Sequence, residues 1–281
     1  MILPLLLGAL TGALVPSFEA STHEAPAAVV FESGHALSGL SVLQDDEEEK
    51  PDKRPEVKSL IELFKAHVKQ RGKEDDEAVG VIDQLVKEFA ESGPKDQKAI
   101  IDALEKCFKE KRKALEDGSP DNRLFMAAAV SMGYMGEAAA KPLSKLVDHK
   151  SLRDDLDLQR RIILSLGKTE SEKYVKVLMD TLKHHEPRMQ AYAAEALASF
   201  AGHALDLRKE VFQEVLKMMM GVRSTVDTDT QGTNTVAQDR WAVISGPMIS
   251  TLRSLSGQEI RDAHEWQAWW NNNKKEEWGT K

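Results

Sequence analysis

From Glu56 onward, apolar residues recur three and four positions apart, with polar residues filling the gaps. Val57, Leu60, Ile61, Phe64 and Val68 share one helical face, and Gly72 stops that run. Val79, Ile82, Leu85, Val86 and Phe89 predict a second helix, closed by Ser92-Gly93-Pro94. Ile100, Ile101, Leu104 and Phe108 predict a third, ending before Asp117-Gly118-Ser119-Pro120. Strict two-residue alternation is absent, so the pattern predicts an all-α chain.

The next stretch repeats itself. Ala128-Ala129-x-x-Met132-Gly133 aligns with Ile162-Ile163-x-x-Leu166-Gly167 and with Ala193-Ala194-x-x-Leu197-Ala198, at offsets of 34 and 31 residues. Each block continues into a second amphipathic helix, at Leu143 to Val147, Val175 to Leu182 and Val211 to Met219. In the second helices Lys141 and Asp148 correspond to Lys173 and Asp180, at an offset of 32. Small residues let a neighbouring helix approach closely, and each pair leaves an apolar face for the next to cover. The expected architecture is an α-solenoid of stacked antiparallel helix pairs.

These blocks resemble HEAT-like repeats of the short bacterial type, also found in phycobilisome-lyase relatives. The resemblance rests on Arg188-Met189-Gln190-Ala191-Tyr192-Ala193-Ala194-Glu195-Ala196-Leu197-Ala198, on Ala128 to Gly136, and on the Leu-rich second helices. It covers three repeats over 120–222, with degenerate helical repeats over 56–119. The family carries an Arg at a fixed place in the first helix. This chain has Phe125, Gln159 and Gln190 in that register, with Arg123, Arg160 and Arg188 displaced from it. An arginine ladder therefore does not carry over, and those arginines read as local caps and surface charges.

The amino-terminal part reads differently. Ile2 to Val15 is an apolar stretch of signal-peptide core length, too short to span a bilayer, although no Lys or Arg precedes it. A signal peptide over 1–20 would place the mature chain outside the cytoplasm, periplasmic or secreted. Residues 21–55 have no period and end in Asp45-Asp46-Glu47-Glu48-Glu49-Lys50-Pro51-Asp52-Lys53-Arg54-Pro55, which reads as a disordered acidic linker.

Composition removes several classes. The formal net charge of −8 argues against bulk phosphate-backbone binding, and the single Cys builds neither a disulfide framework nor a Cys-rich zinc site. Cys107 falls within an apolar stripe and reads as a small buried hydrophobe. Lys106, Lys109, Lys111, Arg112 and Lys113 form a basic run interleaved with acids, read as a solvated helix face. The histidines show no metal-binding spacing; His184 and His185 are adjacent and point about 100° apart on a helix. Asp227-Thr228-Asp229-Thr230-Gln231-Gly232 starts like a calcium loop, but its twelfth position is Gln238. The stretch is read as part of a polar loop over 223–240, with Arg223 to Val226 outside any helix. No nucleophile elbow, phosphate loop or dinucleotide fingerprint occurs. No cofactor and no catalytic residue is expected.

Two features remain as pointers to binding. Lys141, Lys145, Lys173, Lys176, Lys183, Lys209 and Lys217 recur on the second helices of an acidic protein. The first six are candidate contacts for a protein partner with an acidic surface. All five tryptophans lie from Trp241 onward, in a terminal region 241–281. Asp262 reads as an N-cap, with Glu265 three residues on, opening a helix through Glu277. Ala263, Trp266, Trp269 and Trp270 share its apolar face, as a cap on the end of a stack would require. Leu255-Ser256-Gly257-Gln258 with Trp266-x-x-Trp269-Trp270-Asn271 also resembles a closing segment that follows HEAT-like arrays in exported bacterial proteins. The sequence thus leads to an exported, non-enzymatic repeat scaffold for protein–protein interaction. A lyase-like enzyme accessory and a carbohydrate binder using the Trp cluster are the alternatives.

Overall fold

The computed structural model describes residues 50–112, 118 and 121–279. The signal-peptide assignment and most of the linker assignment lie outside these residues. Among them the chain forms eleven α-helices and two short 3-10 turns, with no strand. The helices are α1 Pro55–Val68, α2 Asp75–Glu91, α3 Pro94–Cys107, α4 Arg123–Tyr134, α5 Glu137–Leu146 and α6 Leu156–Lys168. They continue as α7 Val175–Thr181, α8 Pro187–Leu197, α9 Leu205–Thr228, α10 Thr235–Ser256 and α11 Ala263–Asn273. The all-α expectation holds, and no described helix is long and apolar enough to cross a membrane.

Alternate helices pack in sequence: α2 on α4, α4 on α6, α6 on α8, and α8 on α10. The helices between them pack likewise, α3 on α5 and α7 on α9, while α9 also meets α10 and α11. Close approach along the first of these rows depends on glycine. A Cβ added at Gly133 of α4 would stand 3.0 Å from Ser165 Cα of α6. One added at Gly167 of α6 would stand 2.6 Å from the Ala196 carbonyl oxygen of α8 and 2.9 Å from its Cα. The two glycines that set the repeat register in the sequence are thus the points where neighbouring backbones nearly touch. Ala128, Ala129, Ala193 and Ala194 are fully buried on the same helices.

Polar side chains tie the helix ends together. Asp155 caps α6 by accepting from the Leu158 amide at 2.8 Å, and it also accepts from the Asn122 side chain at the head of α4. Gln159 and Gln190, in the register where the family has arginine, are both fully buried. Gln159 accepts from the Asp148 amide at 2.9 Å and donates to the Leu146 carbonyl at 3.3 Å, satisfying the end of α5. Gln190 accepts from Arg240 Nε of α10 at 3.1 Å. The displaced arginines make both local and cross-helix contacts: Arg123 meets Asp121 nearby and Asp76 on α2, Arg160 reaches Glu195 of α8 at 3.0 Å, and Arg188 meets Glu186.

Three expectations need correction. The linker does not run to Pro55, because Lys50 to Arg54 docks on the start of α3. Asp52 accepts from the Lys95 amide at 2.8 Å, and the Arg54 amide donates to Asp96 at 2.8 Å. These contacts satisfy otherwise unpaired amides at the helix start and offset the entropy of ordering the segment. The polar loop over 223–240 shrinks to the six residues between α9 and α10, because α9 continues through Thr228 and α10 begins at Thr235. Val222, Val226 and the Arg223–Asp227 ion pair at i,i+4 spacing extend α9 through the threonine-rich stretch. Finally, Arg112 is not on a solvated helix face: α3 ends at Cys107, and Arg112 turns inward to Asp75 at 3.2 Å.

That ion pair is buried, with 5% and 0% of the two side chains exposed. The guanidinium donates to the Val68 carbonyl at 3.2 Å and lies over the Phe125 ring. Burial raises the Asp75 carboxyl above its usual range, and Arg112 opposes the rise. Cys107 is buried beside this pair, and desolvation pushes its thiol well up, away from the reactive thiolate.

Two measurements test this account. Gly167→Ala should lower stability in spite of alanine's better helix propensity. Gly80→Ala on α2, where a Cβ meets nothing within 4 Å, should raise it by about 0.5–1 kcal/mol. Thermal melts of the two variants check this; a gain at both positions would remove the close-approach constraint. Arg112→Met should cost about 3–5 kcal/mol by stranding a buried carboxylate. Asp75→Leu/Arg112→Met should return most of that. A carboxyl whose folded pKa exceeds its unfolded value binds its proton more tightly when folded. The Arg112→Met deficit should therefore shrink as the pH falls toward the carboxylate range, as read by denaturant titration.

Candidate interaction surface

Of the candidate lysines, Lys141, Lys145, Lys176 and Lys209 project from α5, α7 and α9, and Lys173 and Lys183 flank the two ends of α7. The structure brings them together only in part. Lys141 and Lys145 on α5 line a hollow of about 460 Å³ against α3, facing Lys98, Asp102 and Glu105. Lys145 is engaged there, 3.1 Å from Glu105. Lys173 sits in a 3-10 turn before α7 and lies by the Tyr174 ring, while Lys176 projects from the first turn of α7. Lys183, just past α7, is shared between Asp180 at 3.6 Å and Glu214 at 3.5 Å. Lys209 on α9 stands apart from the other five, donating to the Glu276 carbonyl at 2.8 Å beside the Trp278 ring. Among the described residues, Lys141, Lys173 and Lys176 are the candidates whose side-chain amines have neither an ion pair nor a hydrogen bond.

A second hollow, of about 570 Å³, opens between the far half of α9 and the start of α10, with the end of α7 at its edge. Leu182, Met218, Val222 and Ala237 supply an apolar floor, and Lys183, Lys217 and Arg240 stand around it with one acid, Glu214. Val236 at the head of α10 is 77% exposed at the mouth. The sequence reading missed this groove because it ended α9 too early. The usable signal was the i,i+4 pair Met218 and Val222, which continues the apolar stripe of α9 toward the threonines.

The tryptophan cluster is a packing unit built around Phe212 of α9. Its ring lies 5.1–5.7 Å from the centroids of Trp266, Trp269, Trp270 and Trp278. Trp266 is fully buried and Trp278 nearly so. The helix carrying them ends at Asn273 rather than at Glu277, and Trp278 folds back to donate its indole N–H to the Asn273 carbonyl at 2.9 Å. Asp262 caps α11, accepting from the His264 and Glu265 amides at 2.8 and 3.0 Å, and these bonds hold its carboxyl below the usual range. Arg208 is buried under the cluster and donates to the Leu255 carbonyl at 3.0 and 2.5 Å, closing the end of α10. Trp241 lies elsewhere, on α10 under the Arg223 guanidinium.

The aspartates of the calcium-like stretch do not converge. Asp227 faces Arg223 at 2.7 Å and His264 at 2.8 Å, pinning α9 to the start of α11. Asp229 accepts from the Thr233 and Asn234 amides, which lowers its pKa. The paired histidines are also locally engaged: His184 accepts from the Glu186 amide at 3.0 Å and lies 3.8 Å from Asp148. Among the described residues no group of three or more His, Cys, Asp or Glu side chains is placed to hold a metal ion.

Phe212→Ala should destabilise the terminal assembly by about 3–5 kcal/mol and red-shift the tryptophan emission. Combined fluorescence and melting curves test this; a red shift without loss of stability would detach the cluster from the fold. Compared with known proteins, the chain matches no family model and no curated protein.

Proposed function

We propose that this chain is an exported, non-enzymatic α-solenoid of HEAT-like repeats that presents its second-helix face to a protein partner with an acidic surface. The observation that carries the reading is the regular packing of alternate helices at positions spaced by the sequence repeat, with lysines projecting from the helices between them. Stacked pairs of this kind build an extended face, and affinity on such a face is spread over several helices. Open hollows with mixed charge suit a docking surface better than a reaction centre. The tryptophans support a capping role, since the rings that would have to stack on a sugar pack against Phe212.

The test is affinity purification from the exported fraction with wild type and with Lys141→Glu/Lys173→Glu/Lys176→Glu. Among the described residues, reversing these three breaks no ion pair and no side-chain hydrogen bond, so the fold should be retained. Recovery of the wild-type partner should fall about tenfold, equivalent to about 1.4 kcal/mol. Undiminished recovery would sink the second-helix face as the docking surface.

A further inference from the structure

The groove between α9 and α10 joins a basic rim to an apolar floor. The protein carries a net charge of −8, yet the charged side chains around this groove are three cations and one anion. Glu214 is also the one already spoken for, held 3.5 Å from Lys183. Lys217 and Arg240 stand on opposite walls, one on α9 and one on α10. The amides at the start of α10 are largely taken, Thr235 by the Thr233 carbonyl at 3.0 Å, Ala237 by the Asn234 side chain at 3.1 Å and Gln238 by the Asn234 carbonyl at 3.2 Å, so the cationic character of the groove comes from its side chains. Acids on the packed elements include Asp180, already shared with Lys183, Asp239, on the exposed side of α10, and Asp229, whose carboxylate is taken up by the Thr233 and Asn234 amides before α10.

The floor is apolar and adaptable. Met218 is half-buried there, and Val222 and Leu182 flank it. A thioether side chain repacks around different ligand shapes at little cost. Gly221 leaves the wall open, since a Cβ there would meet nothing within 4 Å. Val236 extends apolar surface to the rim, where a solvated first turn would ordinarily carry a polar residue. A volume of about 570 Å³ accommodates a few large side chains but no folded domain. The trough lies between two helices, a geometry that accepts a third amphipathic helix.

We infer that this groove is a docking site for an acidic amphipathic helix, whose apolar residues enter over Met218 and Val222 while its carboxylates meet Lys217 and Arg240. The inference rests on the scaffold reading above and adds to it a location and a ligand chemistry. Apolar burial supplies the affinity, and the cations supply orientation and rejection of basic peptides.

The test uses three fluorescein-labelled 14-residue peptides and the full chain, read by fluorescence anisotropy. The first carries Leu at i, i+3, i+4 and i+7 with Glu on the remaining face. The second replaces every Glu by Lys, and the third replaces every Leu by Ser. Only the first should bind with measurable affinity, and the other two should be weaker by about tenfold or more. Lys217→Glu/Arg240→Glu should weaken the first peptide about tenfold and improve the second. Val236→Ser, at the exposed rim, should weaken the first while leaving the melting curve near wild type, separating docking from folding. Equal binding of the Glu and Lys peptides, undiminished binding of the Leu-free peptide, or indifference to the Lys217/Arg240 reversal would each overturn the inference. The scaffold reading fails separately: its partner would survive the Lys141/Lys173/Lys176 reversal. Loss of that partner on that reversal, with the peptides indifferent to the groove variants, would keep the scaffold and discard this site.

Discussion

The structure depends most on how closely α4, α6 and α8 approach one another. At Gly133 and Gly167 the next helix comes so near that a single methyl group would meet backbone atoms at 3.0 and 2.6 Å. Fully buried alanines keep the faces of α4 and α8 small, and the spacing sets where each following helix lies. Helices held this close leave no room for solvent, so their inner polar groups must be satisfied within the protein. Gln159 and Gln190 do this from fully buried positions, one at the end of α5 and one toward α10. Glutamine suits the task because its amide both donates and accepts without bringing a charge that burial would penalise.

The two ends of the described chain solve a different problem, since each has a helix face without a further neighbour in the row. At the carboxyl end α11 and the segment after it lay four tryptophan rings around Phe212, and Arg208 and Asp262 close the ends of α10 and α11 beneath and beside them. At the amino end Lys50 to Arg54 docks on α3, and the Asp75–Arg112 pair draws the segment after α3 inward. A buried ion pair is a poor source of net stability, yet it is unforgiving of loss, which makes it a determinant of where that segment goes.

Much of the fold was legible in the residue pattern. The three- and four-residue apolar spacing placed helices in each region, and the Gly133/Gly167 register identified helices that do pack on each other. Asp262 was readable as a cap because a short acidic residue before an apolar helix has one inexpensive use. The candidate surface was legible only in fragments. Six lysines stood out by recurrence, yet Lys145 and Lys183 are absorbed by ion pairs and Lys209 by the terminal segment. Local spacing says which face of a helix a lysine occupies, but not which acid the next helix brings to it.

The sequence alone determined the helical class, the repeat register, the burial of Cys107 and the clustering of apolar tryptophans. All four follow from periodicity, repetition and side-chain chemistry along the chain. Tertiary structure decided what depends on partners distant in the chain. Arg112 turned from solvent to Asp75, α9 continued through a threonine-rich stretch, Asp227 was claimed by His264 of α11, and a basic groove opened in an acidic protein. Arg112 and Asp227 each choose between water and a side chain tens of residues away, and only packing brings that competitor within reach.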